Sequence, residues 1–122
     1  MLAAAIIGAS AASCTSANAI SQDRKAIERA AIHEDLRNDT ATLFKIASER
    51  AKRGKLELRD RQVVCAIADI QTTFKSDTHA IHKISYACGI APWKPNQGRA
   101  VATPIIALDL LKEGKWMING FL

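Results

Sequence analysis

The cysteines Cys65 and Cys88 constrain the fold of this chain most, because they lie at nearly equal distances from one predicted turn. Ser76 and Asp77 are turn and helix-cap residues; Cys65 lies 11 positions before Ser76, and Cys88 lies 12 positions after it. In an antiparallel hairpin such residues face each other, and a disulfide needs Cα atoms about 5.5 Å apart. We therefore predict a Cys65–Cys88 disulfide that bridges a helical hairpin, with two free buried cysteines as the alternative.

The two arms of this hairpin are predicted to be helices, because apolar residues recur in both at helical spacing. We predict a third helix of the chain over residues 57–74 and a fourth from Asp77 to Cys88. The apolar faces consist of Val63, Ile67, Ile70 and Phe74 in the third helix, and of Ile81, Ile84 and Cys88 in the fourth.

The rest of the chain also shows helical patterns, over residues 22–37, 40–53 and 104–113, with Ser21 as a cap of the first. Only 5% of the residues are aromatic, and a core of alanine, isoleucine and leucine favours close-packed helices over a sheet. The sequence therefore predicts an all-α fold, a small bundle of four to five helices in a single domain over residues 20–122.

The first 19 residues carry no charge, and Leu2–Ala12 form an apolar run that is too short for a membrane span of about 20 residues. This run and the small residues that end at Ala19 are typical of a secretory signal peptide, cleaved after Ala19. They predict a periplasmic or secreted protein. The basic residue that normally precedes such a run is missing, so an intact N-terminus is a further alternative.

A lipoprotein signal is a second interpretation of the same segment. The sequence Ala11-Ala12-Ser13-Cys14 resembles a degenerate bacterial lipobox, although the usual leucine three residues before the cysteine is missing. In this interpretation Cys14 is lipidated and anchors the protein to a membrane.

A basic segment over residues 49–61 holds six basic and three acidic side chains, in a chain whose net charge is +5. This density indicates a site for an anion or an acidic partner, whereas the lack of interleaved aromatic residues argues against single-stranded nucleic acid. A solvated helix junction with intrahelical ion pairs is the alternative. The candidate residues are Arg50, Lys52, Arg53, Lys55, Arg59 and Arg61.

A loop is predicted over residues 91–98, which contain two prolines and a glycine. Trp93 stands between the prolines on a stiff backbone, and tryptophan is a frequent hot-spot residue of protein interfaces. Trp93, Lys94 and Arg99 are therefore candidates for binding a protein partner. Alternatively, Trp93 packs onto the core.

His79 and His82 project from one side of the predicted fourth helix. Two histidines three positions apart can ligate one metal ion, with His33 or Asp77 as a third ligand. The alternative is an exposed polar helix face, and we expect neither a resident metal nor a cofactor.

The sequence holds no phosphate-binding loop, no nucleophile elbow and no zinc-protease motif, which lowers the expectation of an enzyme. It favours a small exported binding or accessory protein that acts without catalysis on a protein partner in the cell envelope. The alternatives are a metal-assisted hydrolase that uses His79 and His82, and a cytosolic binder of nucleic acid or another polyanion through Arg50–Arg61.

Overall fold

The computed structural model describes residues 13–122, with side chains from residue 22 onward. The chain divides into two units, residues 1–34 and 35–122. Helix α1 (Ser13–Asp35) makes up the described part of the first unit. No helix of the described residues is long and apolar enough to span a membrane.

The predicted signal segment lies mostly outside the described residues. Residues 1–12 are not described, and of residues 13–21 only the helical backbone is. Cleavage after Ala19 and lipidation at Cys14 therefore stay predictions.

The second unit is an α+β fold in which one helix packs on a four-stranded antiparallel sheet. Helix α2 (Thr40–Gly54) follows a 3-10 turn over Arg37–Asp39, and a second 3-10 turn over Leu56–Leu58 leads into the sheet. The strands are neighbours in chain order: β1 (Val63–Ser76), β2 (His79–Ile90), β3 (Ile105–Glu113) and β4 (Lys115–Phe121).

The prediction of an all-α bundle is wrong, because three of the five predicted helices are strands. Strands β1, β2 and β3 overlap the segments 57–74, 77–88 and 104–113, respectively. Helices do occur over 22–37 and 40–53, where α1 and α2 lie, but α1 begins well before the predicted cap. The domain predicted as helical is therefore largely a sheet.

A β-bulge explains why β1 resembles a helix in sequence. Ala68 is an extra residue between two paired positions of β1, and an extra residue reverses which side chains face which side of the sheet. The apolar residues of β1 are spaced by four, three and four positions. This spacing places them on one face of a bulged strand, and it would also place them on one face of a helix. The residues that share this face are Val63 and Ile67 before the bulge and Ile70 and Phe74 after it.

Two of the few aromatic residues, Tyr86 and Trp116, are buried in the core, so their low number does not argue against a sheet. Phe44 of α2 packs edge-on against Tyr86 of β2, with ring centroids 5.3 Å apart, and burial raises the pKa of Tyr86. Isoleucine is itself β-branched and suits strands. The largest buried side chains on this sheet and the turn before it are Trp116, Tyr86, Leu58, Ile106, Leu108, Leu110 and Cys88.

The predicted Cys65–Cys88 disulfide is confirmed, but it joins two strands instead of two helices. The two residues are directly paired across β1 and β2, with Cα atoms 4.1 Å apart. The hairpin turn lies at Asp77–Thr78, where the main-chain N–H of Thr78 donates to Ser76 Oγ at 3.2 Å. Cys65 lies 12 positions before Asp77 and Cys88 lies 10 positions after Thr78, and the two extra residues of β1, Ala68 and Lys75, account for the difference.

Candidate functional site

Strand β1 forms one edge of the sheet, because within residues 35–122 it pairs with β2 alone. Opposite the first half of β1, Tyr86 and Cys88 of β2 direct their main-chain N–H groups away from β1. The N–H of Tyr86 donates to the C=O of Pro104 at 2.9 Å, and the N–H of Cys88 donates to the C=O of Ala102 at 2.8 Å.

The first half of β1 therefore has outward-directed main-chain groups. In an antiparallel pair, both residues of a non-hydrogen-bonded position point their N–H and C=O groups away from each other. Cys65 and Ile67 stand opposite Cys88 and Tyr86, so their N–H and C=O groups point away from β2. Val63 does the same, since the C=O of its opposite residue accepts a bond from the N–H of Trp93. We call Val63–Ile67 the open edge.

A groove with a volume of about 540 Å³ runs beside the open edge, between α2 and the start of β1. The side chains of Val63 and Cys65 lie on the α2 side of the sheet and form its floor together with Phe44. The rim consists of Lys45, Ser48, Glu49 and Lys52 of α2. The groove is thus apolar at its base and charged at its mouth.

Helix α2 presents this rim because its apolar residues form a narrow stripe. Leu43, Ala47 and Ala51 recur every four residues and are buried against the sheet. Lys45, Glu49 and Lys52 lie to one side of that stripe, where the groove opens.

The surroundings of the groove are strongly basic. Residues 45–61 hold seven basic and three acidic side chains, which is a net charge of +4 out of +5 for the whole chain. A partner that reaches the groove therefore approaches through a positive potential that favours acidic groups.

The structure divides the predicted anion-binding cluster. Lys52 lines the groove, whereas Arg50 donates from Nη1 to the C=O of Ile105 at 2.7 Å and so ties α2 to β3. Arg50 and Lys55 line a smaller hollow of about 200 Å³ beside residues 102–104. The remaining residues of the cluster, Arg53, Arg59 and Arg61, are exposed.

The predicted Trp93 loop lies on the opposite face of the sheet from the groove. A Cβ atom on Gly89 would lie 2.5 Å from the Trp93 ring, so the indole covers this glycine. Lys94 and Arg99 are exposed, and the indole N–H of Trp93 is buried with no hydrogen-bond partner among the described residues. Trp93 is half-buried and packs on the sheet at Gly89, and its role in binding a partner stays a prediction.

His79 and His82 lie on opposite faces of β2, because they are an odd number of positions apart in a strand. His82 is buried and its Nδ1 lies 2.9 Å from Thr72 Oγ1. His79 Nε2 lies 2.5 Å from Asp109 Oδ1 on the other face, where Asn119 donates to Asp109 Oδ2 at 2.9 Å. The two histidines therefore do not share a metal ion, and the described residues contain no cluster of three potential ligands.

Sequence reasoning missed the open edge and the groove residues Phe44 and Lys45. The available signal was the run Val63–Ala68, six uncharged apolar residues that include two adjacent valines, which is typical of a strand.

Comparisons with known protein families, curated proteins and solved structures gave no match.

Proposed function

We propose that this protein is a non-catalytic binding module that takes up an extended, acidic segment of a partner protein as an additional strand on the open edge of β1. One observation supports this most: three outward-directed main-chain positions lie beside a groove with an apolar floor and a basic rim. Added strands gain affinity from main-chain hydrogen bonds and specificity from pockets that receive alternate side chains.

The groove defines the chemistry of the segment. Alternate side chains of an added strand point to the α2 side of the sheet, where they reach the groove. Lys45 and Lys52 on the rim favour a carboxylate, and Phe44 and the disulfide favour an apolar side chain next to it. The expected segment therefore alternates, with acidic and apolar side chains on its groove side.

The proposed setting is an oxidising compartment such as the periplasm. The Cys65–Cys88 disulfide supports this, because such bonds persist in exported proteins and are rare in the cytosol.

Peptide selection followed by NMR tests the proposed function. A display library of random linear peptides is selected on the oxidised protein, and the peptides with the highest affinity are titrated into labelled protein. We expect acidic, apolar-alternating peptides, and we expect them to slow exchange of the outward amide hydrogens of Val63, Cys65 and Ile67.

Two pairs of matched variants separate this site from the rest of the surface. Ile67 and Ile70 are exposed to similar extents, 44% and 42%, and both point their N–H away from β2. Ile67→Pro should weaken binding about tenfold, since it removes a donor from the open edge, whereas Ile70→Pro should not. Lys52→Glu should likewise weaken binding of the acidic peptide more than Arg53→Glu, because only Lys52 lines the groove.

Several results would contradict the proposed function. These are the recovery of no peptide, protection of amides on other strands, or an equal loss of affinity in both members of a pair. Reversible association of the protein with itself through the same amides would instead identify a second copy of this chain as the occupant.

A further inference from the structure

We infer that the Cys65–Cys88 disulfide gates this binding site: the oxidised protein holds the open edge in its binding conformation, and reduction releases it. The inference rests on the proposed function. It starts from the position of Cys65, which is the middle one of the three outward-directed residues and also forms part of the groove floor.

The disulfide links β1 and β2 covalently in this half of the hairpin, and the paired positions on the same face are Val63 with Ile90 and Ile67 with Tyr86. The paired positions on either side of it are Val64 with Gly89 and Ala66 with Ala87. Cross-strand side-chain contacts stabilise a sheet, and glycine and alanine supply little of that contact. Without the disulfide, the open edge would depend on main-chain hydrogen bonds and on the side-chain pairs of Val63 with Ile90 and of Ile67 with Tyr86.

The two cysteines of the disulfide differ in their exposure to solvent. Cys88 is fully buried, with 0% exposure, whereas Cys65 is partly exposed and faces the groove. A thiolate of an external dithiol therefore attacks Cys65 Sγ, forms a mixed disulfide and releases Cys88 as a thiolate, which takes up a proton. The second thiol of the reductant then displaces Cys65 as a thiol. The net reaction transfers two electrons and two protons to the protein and leaves the reductant as a disulfide.

Partner binding and reduction should oppose each other. An added strand would cover the side of Cys65 that an attacking thiolate must reach. By linkage, a partner that binds the oxidised form better also stabilises that form against reduction. The disulfide is thus required for tight binding, and the bound partner in turn protects the disulfide from reduction.

The experiment compares the oxidised protein, the protein reduced with dithiothreitol, and the Cys65→Ser/Cys88→Ser variant. The probe is the acidic peptide with the highest affinity from the selection, and amide exchange is followed at Val64 and Ala66, whose N–H groups bond to β2. We expect exchange there to rise on reduction, and peptide affinity to fall about tenfold, which corresponds to about 1.4 kcal/mol. We also expect the bound peptide to slow reduction by dithiothreitol.

The outcomes separate this inference from the proposed function. Equal affinity of the oxidised and reduced proteins, or unchanged exchange at Val64 and Ala66, overturns the gating and leaves the proposed function standing. Absence of binding to the oxidised protein overturns the proposed function itself. Global unfolding on reduction, seen as rapid exchange in β3 and β4 as well, would mean that the bond holds the whole fold, which also overturns the inference.

Discussion

The two halves of β1 both have an unpaired edge, but they differ in the charges and bulges along that edge. After the bulge at Ala68, the second half carries the exposed charges Asp69 and Lys75 and has a second irregularity at Lys75. Charges and bulges of this kind prevent other chains from adding to an edge. The first half, Val63–Ile67, has neither a charge nor a bulge.

The main-chain groups at the edge of the first half are accessible, whereas the second half packs on the core. Behind the second half lie large buried side chains, among them Trp116, whose ring centroid is 6.1 Å from that of Phe74. The first half has small residues at two of its paired positions, Val64 with Gly89 and Ala66 with Ala87, and a covalent bond between them at Cys65 and Cys88. The proposed binding site and the contact with Trp116 therefore lie in different halves of a single strand.

The largest expected effect is at the second half. Trp116→Ala should destabilise the protein by about 3–5 kcal/mol, because it removes a fully buried aromatic side chain. Urea unfolding followed by circular dichroism measures this loss. If the comparison is right, peptide affinity measured well below the unfolding midpoint should stay unchanged. A loss below about 1 kcal/mol would mean that Trp116 does not anchor this half.

A smaller effect is expected at the first half, from Gly89→Ala. The new Cβ would lie within 3 Å of three atoms of the Trp93 side chain, so the loop must move, at a cost of about 1–3 kcal/mol. Thermal unfolding measures the change. In the Trp93→Ala background the same substitution should cost much less, because the space is then free. Additive effects of the two substitutions would show that Trp93 does not constrain this position.

The smallest expected effect is a loss of stability at low pH, caused by protonation of Asp109 near the turn end of the hairpin. A hydrogen bond from Asn119, together with one from His79, lowers the pKa of Asp109. The stability that Asp109 contributes is therefore fully present above its unfolded pKa of about 3.9, and it is lost as the pH falls through the lower folded value. His79 pairs with Ser76, so amide exchange should rise at this end of β1 before it rises at the open edge.

Urea midpoints measured between about pH 2 and pH 6 test this dependence. Asp109→Asn should flatten the fall of stability in acid, and Asn119→Ala should reduce it in part. An identical pH profile of Asp109→Asn and the natural protein would rule out this carboxylate as its source.

Much of the secondary structure was not predictable from local patterns. The bulge at Ala68 gives β1 the apolar spacing of a helix. The apolar residues of Ile105–Leu111 likewise fit both the two-residue period of a strand and the 3.6-residue period of a helix. Only the pairing between these strands decides between helix and strand, since sheets are stabilised by contacts between strands. The histidines were misassigned for the same reason, because their shared helical face does not exist in a strand.

The sequence by itself indicated the Cys65–Cys88 disulfide, because these cysteines flank one turn at similar distances, although the turn lies at Asp77–Thr78 and two extra residues of β1 set the register. It also determined the concentration of positive charge before residue 61. Only the tertiary structure decided that the hairpin consists of strands and that its first half has an open edge beside a groove. The reason is physical: charge and turn positions are local properties, whereas the direction of a main-chain hydrogen bond in a sheet depends on which strand lies beside it.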